Sequence, residues 1–163
     1  MKIARRWFGG ALLLAVLGMT GAGRPSGTGT IVARVGGNLA GRVGDTLNVP
    51  ITVDLTGAPG VRLGGYLMTI RYDTTVLRFQ SSGNGTFAPP LVNEDSAWAG
   101  ELRFTAIQPS GAEGVVTLVV GHFFVRSDAG AGDITISFEE MSGVAPTFAD
   151  LLPLLTVVNG TFC

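Results

Sequence analysis

The chain has 163 residues, 46% of them hydrophobic, and a formal net charge of −1 at pH 7. This length supports one domain with a substantial core. The sequence holds one histidine and one cysteine, His122 and Cys163, which excludes an internal disulfide and a structural zinc site. The basic residues are scattered rather than clustered, so no nucleic-acid-binding surface is expected.

Residues 1–22 have the organisation of a cleaved export signal. Lys2, Arg5 and Arg6 form a positive head, residues 7–17 form an apolar stretch too short to span a bilayer, and small residues follow. The arginine pair also fits a twin-arginine signal, although an ordinary Sec signal is the simpler interpretation. No later segment has the length and hydrophobicity of a membrane anchor. We therefore expect a secreted or cell-surface protein without a membrane span in its mature form.

The rest of the chain is expected to form a flexible leader, residues 23–29, and a single domain, residues 30–163. After removal of the signal, eight arginines remain against twelve carboxylates, a net charge of −4. Because no disulfide is available, the exported fold has to depend on its hydrophobic core.

Short runs with β-strand character alternate with breaks rich in Gly, Pro, Asn, Asp and Ser. Their spacing, roughly ten to fifteen residues with turn signals between them, predicts an all-β sandwich. The pattern also allows a further strand within residues 91–98 and a helical turn at residues 148–152. The predicted strands are Thr30–Val35, Leu47–Leu55, Gly65–Tyr72, Val76–Phe79, Glu101–Ile107, Val115–Arg126, Asp133–Phe138 and Leu155–Phe162.

Apolar and polar residues alternate along these runs, which assigns each side chain to a face. The run Val115–Arg126 is apolar on both faces, so it is expected to be a central strand with a bulge near Gly121. Pro50 predicts a free edge or a bulge in its strand, because proline cannot donate a ladder hydrogen bond. The residues expected in the core are Val53, Met68, Ile70, Tyr72, Leu77, Leu102, Phe104 and Leu118.

Two neighbouring strand motifs are the most specific feature of the sequence. The first, Gly44–Pro50, reads G-D-T-L-N-V-P, and the second runs from Gly64 through Tyr72-Asp73 to Leu77. They resemble the G-D-x-x-x-V-P and Y-D-x-x-x-L patterns of the cohesin domain family. The segments 100–106, 114–125, 132–136 and 157–161 continue the likeness in the same order, so it covers about residues 30–163. The resemblance implies a nine-stranded jelly-roll β-sandwich, related to bacterial carbohydrate-binding modules.

The residues offer no catalytic constellation, and we expect no catalytic residue, no cofactor and no metal site. His122 lies in an apolar strand and no serine or cysteine motif supplies it with a nucleophile. The adjacent pairs Glu94-Asp95 and Glu139-Glu140 should point to opposite faces of a strand, so neither pair can act across a cleft. No D-x-[DN]-x-[DN]-G calcium loop is present. Asp73 is expected to bond backbone N–H groups of the turn that follows its strand.

The family resemblance also implies a binding surface. Cohesins bind dockerins through one flat sheet face, built partly from the strands matched here to Gly65–Tyr72 and Glu101–Ile107. Members that bind dockerins often carry polar residues at the start of the first strand, where this chain has Gly65, Tyr66 and Leu67. The outward residues that the resemblance assigns to partner binding are Leu67, Thr69, Arg71, Arg103, Thr105 and Gln108.

The sequence therefore predicts an exported, non-catalytic adhesion or scaffolding module that binds a protein partner, by resemblance a dockerin-type domain in a polysaccharide-degrading assembly. Two alternatives remain open, a carbohydrate-binding module and a structural surface domain without a specific ligand. A row of exposed, coplanar aromatic side chains would favour carbohydrate binding. Trp98 is the one tryptophan outside the signal, and by itself it is weak evidence for a sugar site.

Overall fold

The computed structural model describes residues 29–37, 39–126 and 132–162. The predicted export signal, most of the leader and Cys163 lie outside these residues. The described chain forms ten strands and two short 3-10 turns, Ala97–Ala99 and Leu152–Leu154. The strands are β1 (Ile31–Val35), β2 (Thr46–Asp54), β3 (Leu63–Tyr72), β4 (Leu77–Asn84), β5 (Leu91–Asn93), β6 (Glu101–Ala112), β7 (Val115–Val125), β8 (Gly132–Gly143), β9 (Leu155–Val158) and β10 (Gly160–Phe162).

The strands build two five-stranded sheets. The first sheet has the order β4-β7-β2-β1-β9 and the second has the order β10-β8-β3-β6-β5. Neighbouring strands are antiparallel except β1 and β9, which are parallel. The predicted all-β sandwich is confirmed.

The core lies between the two sheets, and its residues follow the alternation in the sequence. Strand β3 turns Met68 and Ile70 inward, and β6 turns Leu102 and Phe104 toward the same interior, all of them fully buried. Every one of the eight residues expected in the core is buried. The hydrophobic effect of this shared interior holds the sheets together, since no disulfide contributes.

The last predicted strand, Leu155–Phe162, is wrong as one element, so the described sandwich has ten strands where the resemblance implies nine. The chain leaves the first sheet after Val158 and enters the second at Gly160. Asn159 marks the change, because its side-chain Oδ1 accepts a hydrogen bond from Ile136 N at 3.1 Å. A side-chain acceptor thus takes the place of a backbone ladder bond where the strand crosses between sheets.

Two other local expectations are corrected. The bulge expected near Gly121 lies instead at Leu118, where the register between β7 and β2 shifts by one residue. The helical turn expected at residues 148–152 lies at Leu152–Leu154. Pro50 lies just past the last residue pair between β1 and β2, but its carbonyl accepts a 2.8 Å hydrogen bond from Gly36 N, so the edge of β2 at this point is partly occupied rather than free.

Removing a large side chain from the core should lower the free energy of unfolding, because it leaves a cavity. Phe104 is fully buried between the sheets, so Phe104→Ala should lower the free energy of unfolding by about 3–5 kcal/mol. Val43→Ala is the control, because Val43 is half exposed and its replacement should change stability by less than about 0.5 kcal/mol. Urea unfolding followed by circular dichroism measures both. Equal stability of the two variants would contradict the core assignment.

Candidate functional site

The outward side of strands β5, β6, β3 and β8, called the outer face below, carries most of the residues predicted to bind a partner. Leu67 of β3 lies in register between Thr105 of β6 and Glu140 of β8, and Leu91 of β5 is the next neighbour of Thr105. Register partners on adjacent strands project to the same side of a sheet. These four side chains therefore form one row across the outer face.

The two predicted arginines on the outer face are already paired within the chain. Arg71 Nη2 lies 3.1 Å from Glu101 Oε2, and Arg103 Nε lies 3.4 Å from Glu101 Oε1. Arg103 Nη2 also lies 3.8 Å from Glu139 Oε1. Both arginine side chains remain about half exposed, at 55% and 51%. Such exposed pairs add little stability, but they fix the direction of the guanidinium groups.

The expectation that Thr69 is an exposed contact residue is wrong. Thr69 is fully buried, and its Oγ1 donates a 2.8 Å hydrogen bond to Glu139 Oε1. The expectation that Glu139 and Glu140 point to opposite faces is also wrong. A register shift between β3 and β8 at this point places two glutamates opposite Leu67, and both are exposed. The bulge thus adds a second carboxylate to the outer face, which covers Thr69.

Thr105 and Gln108 are engaged in hydrogen bonds within the fold. Thr105 Oγ1 donates to the carbonyl of Tyr66 at 3.0 Å. The Gln108 carboxamide accepts from Ala88 N at 2.9 Å and donates to the carbonyl of Gly111 at 3.1 Å. Gln108 therefore holds the segment before β5 against the end of β6, with one hydrogen bond made by each polar atom of its carboxamide.

Two exposed aliphatic residues on the outer face were missed by the sequence prediction. Leu91 is 76% exposed and Ile107 is 74% exposed. Ile107 shares the outward phase of Glu101, Arg103 and Thr105, so the alternation of β6 is the signal that identifies it. The place of Leu91 on the outer face follows from the pairing of β5 with β6, which the sequence of β5 does not indicate.

The comparisons with known proteins decide the family. The family model described as Cohesin domain matches residues 31–161, which is most of the chain. The chain belongs to the cohesin domain family. Cohesin domains are non-catalytic binding modules. No curated protein matches the sequence.

Solved structures show the same fold at low sequence identity. The seventh ScaB type I cohesin from Pseudobacteroides cellulosolvens is 18% identical with a TM-score of 0.67, covering 82% of this chain and 90% of that one. The Coh-OlpA–Doc918 type I cohesin–dockerin complex from Clostridium thermocellum is 16% identical with a TM-score of 0.67, and the match covers 82% of this chain and 97% of that one. A non-cellulosomal cohesin from the archaeon Archaeoglobus fulgidus is 16% identical with a TM-score of 0.62, and the match covers 82% of this chain and 89% of that one.

The exposed aromatic residues of this cohesin domain do not form a row within the described ranges. Trp98 is 83% exposed and lines a cleft beside Tyr72, at one end of β3. Phe148 is 65% exposed and lies beside Gly64, at the other end of β3. Eight residue steps along β3 separate Gly64 from Tyr72, a distance of roughly 26 Å. The two rings therefore cannot stack on one short glycan.

His122 lies on the outward side of the first sheet, half buried, with Nδ1 2.7 Å from Asn48 Oδ1. Among residues 29–37, 39–126 and 132–162, no group of three or more His, Cys, Asp or Glu side chains could hold a metal ion. In the same ranges no helix has the length and hydrophobicity needed to cross a bilayer.

Asp73 has the turn role that the sequence predicts. Its Oδ1 accepts hydrogen bonds from Thr75 N at 2.8 Å and Thr75 Oγ1 at 2.6 Å. These bonds stabilise the carboxylate and lower the pKa of Asp73. The turn they close connects β3 to β4, so Asp73 supports the fold at the far end of the outer face.

Two tyrosines lie beneath the outer face in contrasting surroundings. Tyr66 is buried against Phe87 and Phe138, and its hydroxyl has no hydrogen-bond partner among the described residues. Tyr72 donates its hydroxyl proton to the carbonyl of Ala97 at 2.7 Å. Burial raises the pKa of both Tyr66 and Tyr72, because it penalises the phenolate.

This contrast predicts opposite effects of the same substitution. Tyr66→Phe removes a buried hydroxyl without a partner, so it should raise the free energy of unfolding by about 1 kcal/mol. Tyr72→Phe removes the hydrogen bond from the tyrosine hydroxyl to the Ala97 carbonyl, which then keeps only its bond from Gly100 N, so it should lower that energy by about 1 kcal/mol. Urea unfolding at pH 7 measures both variants.

The pH dependence provides a second readout. A tyrosine whose pKa is raised by folding contributes stability that is present below its unfolded pKa, about 10, and is lost as pH rises further. Tyr66→Phe should therefore weaken the loss of stability above pH 10. A destabilised Tyr66→Phe protein at pH 7 would show that the hydroxyl is satisfied.

Proposed function

We propose that this cohesin domain is an exported, non-catalytic scaffolding module that binds a dockerin-type domain through its outer face. The observation that carries the proposal is the family match over residues 31–161, combined with an outer face that exposes aliphatic residues beside ordered charges. Solved structures with this fold include cohesin–dockerin complexes, among them Coh-OlpA–Doc918 and the complex of CaCohA2 with a variant of CaDoc0917. Their identity to this chain is low, so they support the fold, and the choice of partner is inferred.

The composition of the outer face suits a protein interface. Stable interfaces combine an apolar centre with a polar rim. Leu67, Leu91 and Ile107 supply apolar area, and the Arg71–Glu101–Arg103 network lies beside them. The sheet behind this surface is hydrogen-bonded on both sides of β3, so docking requires little backbone movement.

The internal ion pairs change how the arginines can recognise a partner. Arg71 is bound to Glu101 through Nη2 alone, and Arg103 is bound through Nε and Nη2. A guanidinium has five N–H donors, so each arginine keeps donors for a partner's carboxylate or carbonyl oxygen. Glu101 and Glu139 hold these donors in place, which lowers the entropy cost of recognition.

Binding can be tested with the dockerins of the solved complexes, together with any dockerin encoded by the source organism. Isothermal titration calorimetry of the chain with each dockerin measures the dissociation constant and identifies any dockerin that binds. In the double variant Leu67→Asp/Arg103→Asp, binding should be lost, because two carboxylates are added to a face that already carries Glu101, Glu139 and Glu140. Circular dichroism and thermal melting confirm that the variant is folded.

The matched control places the same two changes on the first sheet. Arg34 and Val158 are exposed register partners on β1 and β9. Arg34→Asp/Val158→Asp should leave the dockerin affinity within about twofold, since distant surface changes rarely affect an interface. A folded Leu67→Asp/Arg103→Asp protein that binds with unchanged affinity would exclude the outer face as the docking site.

Export is the second part of the proposal, and the N-terminal sequence supports it. Lys2, Arg5 and Arg6 precede a short apolar stretch that ends in small residues, the pattern of a cleaved signal. N-terminal sequencing of protein from the culture medium should begin at Gly23, just after Ala22. Secreted material that still begins at Met1 would contradict the assigned cleavage.

A further inference from the structure

An apolar groove lies at the end of the outer face where β3 begins. It has a volume of about 290 Å³, and its lining includes Gly65, Ile107, Val144 and Phe148. All of its lining residues are uncharged. A site for a drug-sized ligand starts at about this volume and usually exceeds it. The groove therefore has room for one or two apolar side chains rather than for a cofactor.

Two glycines make the groove deep. A Cβ atom at Gly64 would lie 2.5 Å from the carbonyl oxygen of Gly143, and a Cβ atom at Gly65 would lie 3.3 Å from Ser142 Oγ. Any larger residue at Gly64 would thus collide with the backbone of β8. The pair keeps the floor of the groove at the level of the sheet backbone.

Phe148 forms one wall of the groove in an unfavourable backbone conformation. Its φ is 44°, in the left-handed region that bulky residues seldom adopt, and its side chain is 65% exposed. Its N–H donates to the carbonyl of Val144 at 3.1 Å, which holds the loop in this shape. The fold gains little burial from Phe148 in return for the strain. Strain of this kind concentrates at binding sites.

The groove is continuous with the row of apolar residues on the outer face. Ile107, the opposite wall, is the register partner of Gly65, and Leu67 follows on the same side of β3. The ion pairs lie farther along, at Arg71 and Arg103. A partner that lies across the outer face therefore meets uncharged surface at one end and charges at the other.

We propose that this groove receives an aliphatic or aromatic side chain of the protein that docks on the outer face, clamped between Ile107 and Phe148. The inference rests on the proposed function, since the occupant belongs to the docking partner. The uncharged lining excludes a charged anchor, because no carboxylate or guanidinium would find a counter-charge there. A buried apolar anchor in a pocket is the usual centre of binding energy in an interface.

The groove can be tested without the natural partner. N-acetyl-leucine amide is titrated into the full chain, labelled at its Ile and Val methyl groups, and shifts are followed by NMR. The shifts should saturate and concentrate at Ile107 and Val144, and N-acetyl-lysine amide should cause none. In Phe148→Ala the affinity should fall by roughly tenfold. In Val115→Ala it should not change, because Val115 is equally exposed, at 65%, on the first sheet.

A second variant separates the loss of the ring from the loss of the fold. Phe148→Gly also removes the ring, but glycine adopts a positive φ freely, so it should melt at a higher temperature than Phe148→Ala. Phe148→Gly should bind the leucine probe as weakly as Phe148→Ala does, because both variants lack the ring. Where a dockerin binds the outer face, both variants should weaken it roughly tenfold while Val115→Ala leaves it unchanged.

The inference is overturned if the leucine probe fails to bind, or if Phe148→Ala and Phe148→Gly bind it as the unaltered chain does. Concentration-dependent dimerisation that Phe148→Ala abolishes would assign the groove to a second copy of this chain instead. Failure of every dockerin to bind leaves the probe result intact, so the proposed function and the groove can fail separately.

Discussion

Strand β3 is the element on which the rest of the structure depends. It is hydrogen-bonded to β6 on one side and β8 on the other along most of its length. Its strict alternation sends Met68 and Ile70 into the core and Leu67 and Arg71 to the outer face. A shift of one residue would exchange the two faces, so the burial of the core also fixes which side chains the outer face presents. One register thus sets both the burial of the core and the composition of the outer face.

The outer face is divided along β3 into two chemically distinct halves. Toward Tyr72, two arginines are held by two glutamates in a surface network with little net charge. Toward Gly64, Ile107 is exposed and the groove beside Phe148 has an uncharged lining. Fixed charges favour correct orientation and suppress wrong partners, whereas buried apolar area supplies affinity.

The sequence predicts the sandwich and its core because period-two alternation is a local property of each strand. It does not predict the state of the candidate site residues. Thr69 has the outward phase, yet a bulge in β8, 70 residues away, brings Glu139 over it. The change of sheets at Asn159 likewise depends on the backbone of Ile136. Both depend on contacts between strands distant in the chain, which no single segment encodes. The alternation of β6 did contain the exposed position of Ile107, which the family resemblance alone did not indicate.

The most direct test of this account is a map of backbone amide chemical shifts during titration with a dockerin that binds the chain. The account predicts that the large shifts lie on β5, β6, β3 and β8, with those on the first sheet near zero. A map centred on β4, β7, β2 and β1 would contradict it, because the partner would then dock on the opposite side of the sandwich.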